Sequence, residues 1–261
     1  MDEESFMKRL VQIGIFVLLV FTFLYSSIQI GFWFLDNQAT DTMVSKVQSI
    51  VHITEVSDTS ETVAIVEDAP SMMEVDFSSL MEINPEVSGW IRVLGTDIDY
   101  AFVKHQDNSY YLKHGLDGSY NTSGWVFLDY RNQIDDLGMN TILYAHGRVD
   151  GKMFGTLKNT LSSSWQEDSE NHYVYISTPF HNYVFQVFST YVINTTSDYL
   201  YDDFIRQEDR QSFFDMLLSR STYDFGVNLD SYDKILTLST CYNSYQKMVL
   251  HAKLVKSEKR F

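Results

Sequence analysis

Hydrophobic and polar positions divide the chain into three stretches of different texture. Residues 10–34 run through Leu, Val, Ile and Phe, with Gln12, Thr22, Ser26, Ser27 and Gln29 as the clear polar interruptions. A helix needs roughly 20 apolar residues to cross a hydrocarbon core about 30 Å thick, and this run is long enough. A cleaved signal peptide is the competing reading, but its apolar region spans only ~7–15 residues and ends in a small-residue site. Here the run ends in Gly31-Phe32-Trp33-Phe34-Leu35 without an Ala-x-Ala pattern, which predicts an uncleaved anchor with Trp33 at the interface. Lys8 and Arg9 precede the run and no Lys or Arg follows until Lys46, predicting a cytoplasmic N-terminus and an extracellular remainder. The expected division is a cytoplasmic tail over residues 1–9, a transmembrane anchor over 10–34, an extracellular stalk over 35–75 and a folded domain over 76–261. The stalk is rich in Ser, Thr, Asp and Glu and reads as a solvated spacer, helical in part over residues 42–53.

From Phe77 the texture changes. Residues 77–83 have helical spacing, closed by Asn84-Pro85. Short runs rich in Val, Ile, Tyr and Phe follow at 97–104, 124–129, 141–145, 173–178, 183–193, 234–240 and 247–255, separated by polar or Gly-containing turns. Two helical stretches interrupt them. One covers 108–114 behind the cap Asp107; the other covers 206–219, where Phe213, Phe214, Met216 and Leu217 fall on one side. The expected fold class is mostly β with accessory helices, a closed or nearly closed barrel.

Charge and cysteine usage narrow the chemistry. Nineteen Lys+Arg against thirty-five Asp+Glu give a net charge of −16, the wrong sign for contact with nucleic-acid phosphates. The single cysteine, Cys241, excludes an internal disulfide and a Cys-based zinc site, and composition leaves it open between a small buried hydrophobe and a reactive group. Its position is more informative. Cys241 ends the apolar run that begins at Lys234, and a second apolar run, from Thr141, ends on His146 and Gly147. Strand ends hold reactive groups on a rigid scaffold while exposing them, and a cysteine paired with a distant histidine is the arrangement thiol catalysis requires. A satisfied structural histidine is the alternative for His146. His172 and His181 are isolated, no cluster has ligand spacing, and neither a metal nor a cofactor is expected.

Six segments, in order, resemble the class B sortases, a family of membrane-anchored cysteine transpeptidases. They are Glu82-Ile83-Asn84-Pro85-Glu86-Val87-Ser88-Gly89-Trp90-Ile91, Ile98-Asp99-Tyr100, Asn108-Ser109-Tyr110-Tyr111-Leu112, residues 124–132, Tyr144-Ala145-His146 with Asp150-Gly151-Lys152-Met153-Phe154 behind it, and Thr237-Leu238-Ser239-Thr240-Cys241. The likeness runs from about residue 77 to 255. It implies a barrel of about eight strands with N-terminal helices and a helix in the loop before the last-but-one strand. It also implies that the Cys241 thiolate attacks the threonine carbonyl of a sorting signal similar to Asn-Pro-x-Thr-Asn or Asn-Pro-x-Thr-Gly on an exported protein. His146 would protonate the departing amine, and an amino group of a cell-wall precursor would resolve the thioester, joining the protein to peptidoglycan. Alternatives are a hydrolytic or pilin-polymerising variant and a weakened or silent surface-binding module.

One position departs from the family. The arginine expected on the strand after the cysteine is replaced by Lys247, which supplies charge but no bidentate fork. Lys247 is expected to substitute for it; Arg131 or Arg148 reaching the site, or weakened activity, are the competing readings. The resemblance further implies substrate contacts from Asn108, Leu112, Tyr144, Ser239, Thr195, Tyr199 and Leu200, with core packing as the alternative for Leu112 and Tyr144.

Overall fold

The computed structural model describes residues 3–56, 62–64, 70–135 and 137–260. Four α-helices are present among them: α1 Glu3–Ile50, α2 Ser78–Ile83, α3 Ser163–Gln166 and α4 Gln207–Ser219. The strands are β1 Ile53–Val56, β2 Thr62–Ala64, β3 Met72–Val75, β4 Val87–Val93, β5 Asp99–Lys104, β6 Phe127–Leu128, β7 Asn140–Tyr144, β8 Tyr173–Ser177, β9 His181–Asn194, β10 Ile235–Cys241 and β11 Gln246–Lys259. Eight of them form a closed barrel in the order β10-β7-β6-β5-β4-β8-β9-β11, sealed by antiparallel pairing of β10 with β11. The closed barrel of about eight strands with accessory helices therefore stands as expected.

The barrel is filled from strands whose burial departs from simple alternation. In β10 the six residues Ile235 to Thr240 are all buried, because the strand lies between β7 and β11 and is covered on its outer face. Trp90, Phe102, Trp125, Leu143, Leu236 and Leu250 belong to one apolar cluster inside the barrel. A second cluster packs α4, through Phe213, Phe214 and Leu217, against Phe188, Tyr191, Ile235 and Val249. Apolar residues of α4 recur at helical spacing, which is why the sequence disclosed that helix to within a residue. The helix expected at 108–114 contracts to one 3-10 turn, Tyr110–Leu112, because the carbonyls that would continue it are taken by distant donors: Trp125 N–H bonds that of Tyr111, and Asn121 N–H that of Lys113.

The segment read as a solvated spacer behaves otherwise. α1 continues unbroken from the apolar run to Ile50, and its last turns lie against the barrel. Thr40 and Val47 are buried, and Met43, Val44 and Val51 pack on the main core. Asn121 donates to the Asp36 carbonyl at 3.2 Å and to Thr40 Oγ1 at 3.0 Å. Thr122 is bonded to the Asp36 carboxylate, Arg148 to Asn37, and Lys152 is paired with Asp41. β1 pairs with β3, and the Val75 amide donates to the buried Ser177 hydroxyl. Asp36, Asn37, Thr40 and Asp41 are thus polar positions that meet polar partners on the domain. Residues 57–61 and 65–69 of the stretch lie outside the described residues.

Candidate active site

Two strand pairings bring the site together. β7 and β10 run parallel with Ser239 opposite Tyr144, and the same register carried forward sets Cys241 level with His146. Thr240 Oγ1 donates to the Ala145 carbonyl at 2.7 Å, clamping the two strand ends. Gly147 permits this approach: a Cβ built there would lie 2.0 Å from the Cys241 carbonyl oxygen, so no side chain fits. β10 and β11 are antiparallel with Cys241 directly opposite Lys247, and Lys247 Nζ lies 3.2 Å from Cys241 Sγ. Cys241 is exposed and Lys247 half-buried.

His146 Nε2 is 2.8 Å from the Leu112 carbonyl. A carbonyl only accepts, so Nε2 carries a proton and Nδ1 is left available for proton transfer. Gly124, at φ +62°, carries the backbone past the imidazole; a Cβ there would sit 3.0 Å from His146 Cδ2 and 2.6 Å from the Tyr111 carbonyl.

A cleft of about 370 Å³ opens beside Cys241. Of the residues anticipated from sequence, Asn108, Leu112, Tyr144, His146, Tyr199, Leu200, Ser239, Cys241 and Lys247 all line it. Thr195 does not. Its amide and hydroxyl both bond the Tyr245 carbonyl, at 2.8 and 3.0 Å, which ties it to the β10–β11 turn, and the next residue, Thr196, lines the cleft instead. Neither arginine weighed as a substitute stands among the lining residues of this cleft. Arg148 is turned to Asp150, Ser123 and Asn37, and Arg131 to Asp129, Asp202 and the Leu200 carbonyl.

The floor beneath the cleft is a polar network that sequence reasoning missed. Asp129, fully buried, accepts from Arg131 Nε at 2.8 Å, Tyr144 Oη at 2.8 Å and Asn108 Nδ2 at 2.9 Å. Burial opposes its ionisation, but these donors outweigh that cost and hold the carboxyl below the usual carboxylate range. Burial, reinforced by the Asp129 charge, pushes Tyr144 far above the ordinary phenol value, so it remains a donor at neutral pH. Tyr199 Oη and Ser239 Oγ lie 3.0 Å apart, pinning the loop before α4 to β10. Asp129 and Arg131 stand in the segment whose family resemblance was noted, yet nothing in their spacing marks a carboxylate that accepts from three residues.

A family model for the sortase domain matches residues 91–255. The chain belongs to the sortase family. Sortase B of Staphylococcus aureus strain NCTC 8325 is 34% identical over 184 residues, covering 69% of this chain and 75% of that protein. Sortase B of Listeria monocytogenes is 30% identical over 237 residues, covering 89% and 92%. The crystal structure of sortase B from Bacillus anthracis in complex with AAEK1 superposes with a TM-score of 0.70 at 32% identity, over 85% of this chain and 99% of that one. The molecule is thus a class B sortase, a transpeptidase of the sortase type. Within this sortase no group of three or more His, Cys, Asp or Glu side chains is placed to hold a metal among the described residues. The buried His251 is a structural histidine: Thr237 and Tyr191 flank its ring at 2.9 Å each, and burial pushes it down to about 3.

Proposed function

We propose that this sortase cleaves a C-terminal sorting signal after its threonine and transfers the exported protein to a cell-wall amine through a thioester on Cys241. The observation that carries the reading is the cross-strand pair, an exposed thiol 3.2 Å from the Lys247 ammonium, at the mouth of a cleft that His146 also lines. The thiolate attacks the threonine carbonyl, and the oxyanion that forms is steadied by Lys247 in place of the family's arginine. His146 delivers a proton to the departing amine, leaving the acyl group on sulfur. An acceptor amine then forms the new C–N bond as the C–S bond breaks. Apolar walls from Leu112, Tyr199 and Leu200 suit the Pro-containing portion of a signal similar to Asn-Pro-x-Thr-Asn or Asn-Pro-x-Thr-Gly, and Asn108 and Ser239 supply polar contacts. Structures of similar sortase B proteins complexed with triglycine and with substrate support both halves of the reaction.

The anchor reading rests on α1. Its segment Phe6–Ile50 is long and apolar enough to cross a membrane, and Phe16, Phe21 and Phe23 are exposed on a stretch with no packed face. Residues 10–34 then span the cell membrane once, with residues 1–9 cytoplasmic and the catalytic domain outside. The test incubates detergent-solubilised full-length chain with a signal peptide and an amine. Mass spectrometry should show the amide product and a Cys241 acyl-enzyme, both absent from Cys241→Ala. Hydrolysed peptide alone at saturating amine would overturn transfer, and no acyl-enzyme would overturn the whole reading.

A further inference from the structure

Cys241 and Thr240 line a second, smaller hollow, whose other lining residues are all different from those of the 370 Å³ cleft. It measures about 60 Å³ and lies along Gly147, Gly155, Lys158 and Tyr242. A two-substrate transfer needs two approaches to one carbon. With the acyl chain seated in the larger cleft, the thioester carbonyl is reachable from the side that remains open. Its size admits a handful of heavy atoms, as in an unsubstituted amine and one neighbouring group, and rejects a bulky side chain.

The electrostatics of that hollow run against those of the chain. Net charge is −16, yet the hollow is lined by Arg148 and Lys158 with no Asp or Glu. Arg148 is already neutralised by Asp150, 2.6 Å away, and bonded to Ser123. Lys158 is exposed on the 3-10 helix Gly155–Leu161 and has no hydrogen-bond or ion-pair partner among the described residues. An unpaired cation on the hollow that Cys241 also lines disfavours a protonated amine and attracts an anion, so it selects for a particular kind of acceptor.

Resting on the transpeptidase reading above, we propose that this hollow receives the acceptor amine and that Lys158 favours acceptors carrying a carboxylate next to the amine. The neutral amine attacks the thioester carbonyl, the C–N bond forms, and the C–S bond breaks. Sγ departs as thiolate facing Lys247, and the proton of the amine passes to His146. The acceptor carboxylate meanwhile pairs with Lys158 at the rim.

The test compares glycine with glycinamide as acceptors for full-length chain pre-acylated by a signal peptide. The readout is the glycine-to-glycinamide ratio of kcat/KM in each variant relative to wild type, which cancels the intrinsic difference in amine basicity. The ratio should fall about tenfold in Lys158→Gln, fall further in Lys158→Glu and be retained in Lys158→Arg, with the change in KM. An unchanged ratio in both Lys158→Gln and Lys158→Glu, or an equal loss for both acceptors, would overturn the assignment while the acyl-enzyme still forms. Absence of acyl-enzyme in the wild type would instead fail the transpeptidase reading itself.

Discussion

Lys247 offers the sharpest test of the site because its replacement separates charge from packing. Lys247→Met keeps most of the side-chain volume and removes the ammonium that lies 3.2 Å from Cys241 Sγ. Two unit charges at that distance interact by about 1.3 kcal/mol at the dielectric of water and by about 5 kcal/mol at an effective dielectric near 20. Cys241 is exposed and Lys247 half-buried, so the loss should fall between these bounds. A value near 2.7 kcal/mol corresponds to about a hundredfold in rate, the scale seen when one donor to an oxyanion is removed. The assay is single-turnover acylation of Cys241 by a signal peptide, followed by intact-mass spectrometry. Lys247→Met should acylate about a hundredfold more slowly, and Lys247→Arg within a few-fold of wild type, since the fork restores charge at the same register position. Acylation by Lys247→Met within threefold of wild type would refute the charge argument and leave Lys247 as a strand residue without a part in the chemistry.

Three further outcomes follow from the geometry. Gly147→Ala must push apart the ends of β7 and β10, since its Cβ meets the Cys241 carbonyl; acylation should drop about a hundredfold with circular dichroism unchanged, and near-normal turnover would contradict the close approach. Asp129→Asn should lower urea stability by about 3 kcal/mol at pH 7. Because the folded carboxyl titrates below its unfolded value, the part of that stability carried by its ionisation is present above about pH 4 and lost as pH falls through the folded pKa, so the gap between the two proteins should narrow in acid. His251 titrates at about 3 when folded against about 6.5 when unfolded, so the unfolded chain takes up a proton first; stability should decline as pH falls from about 6.5 toward 3, less steeply in His251→Gln.

What the residues disclosed followed the physics of each element. The barrel strands were legible where Val, Ile, Tyr and Phe ran between polar turns, and α4 where its apolar positions kept helical spacing. β4 was visible only through family resemblance, because Trp90 and Ile91 are buried side by side and break the alternation that marks a half-exposed strand. The short helices 155–166 escaped notice since a single turn carries too few positions to show a period. In the site, Cys241 and His146 stood out as the ends of apolar strands, whereas Lys247 was named only through the resemblance, at the position of the family's arginine. Thr195 was misplaced by one residue, because whether it or Thr196 faces the cleft depends on the turn carbonyl of Tyr245, a tertiary partner with no local signature. The same holds for Asp129, whose donors arrive from three separate segments.

The unbroken α1 helix has a mechanical consequence. At about 1.5 Å per residue its 48 residues form a rod about 72 Å long, with no hinge between the apolar run and the turns that grip the barrel. Those turns hold Arg148 and Lys152, which lie on the loop directly after His146. A flexible tether would let the domain tumble and sample every bearing. A rod seated this way passes any tilt or rotation of its apolar end to the whole barrel, and fixes the height and compass direction of the cleft with it.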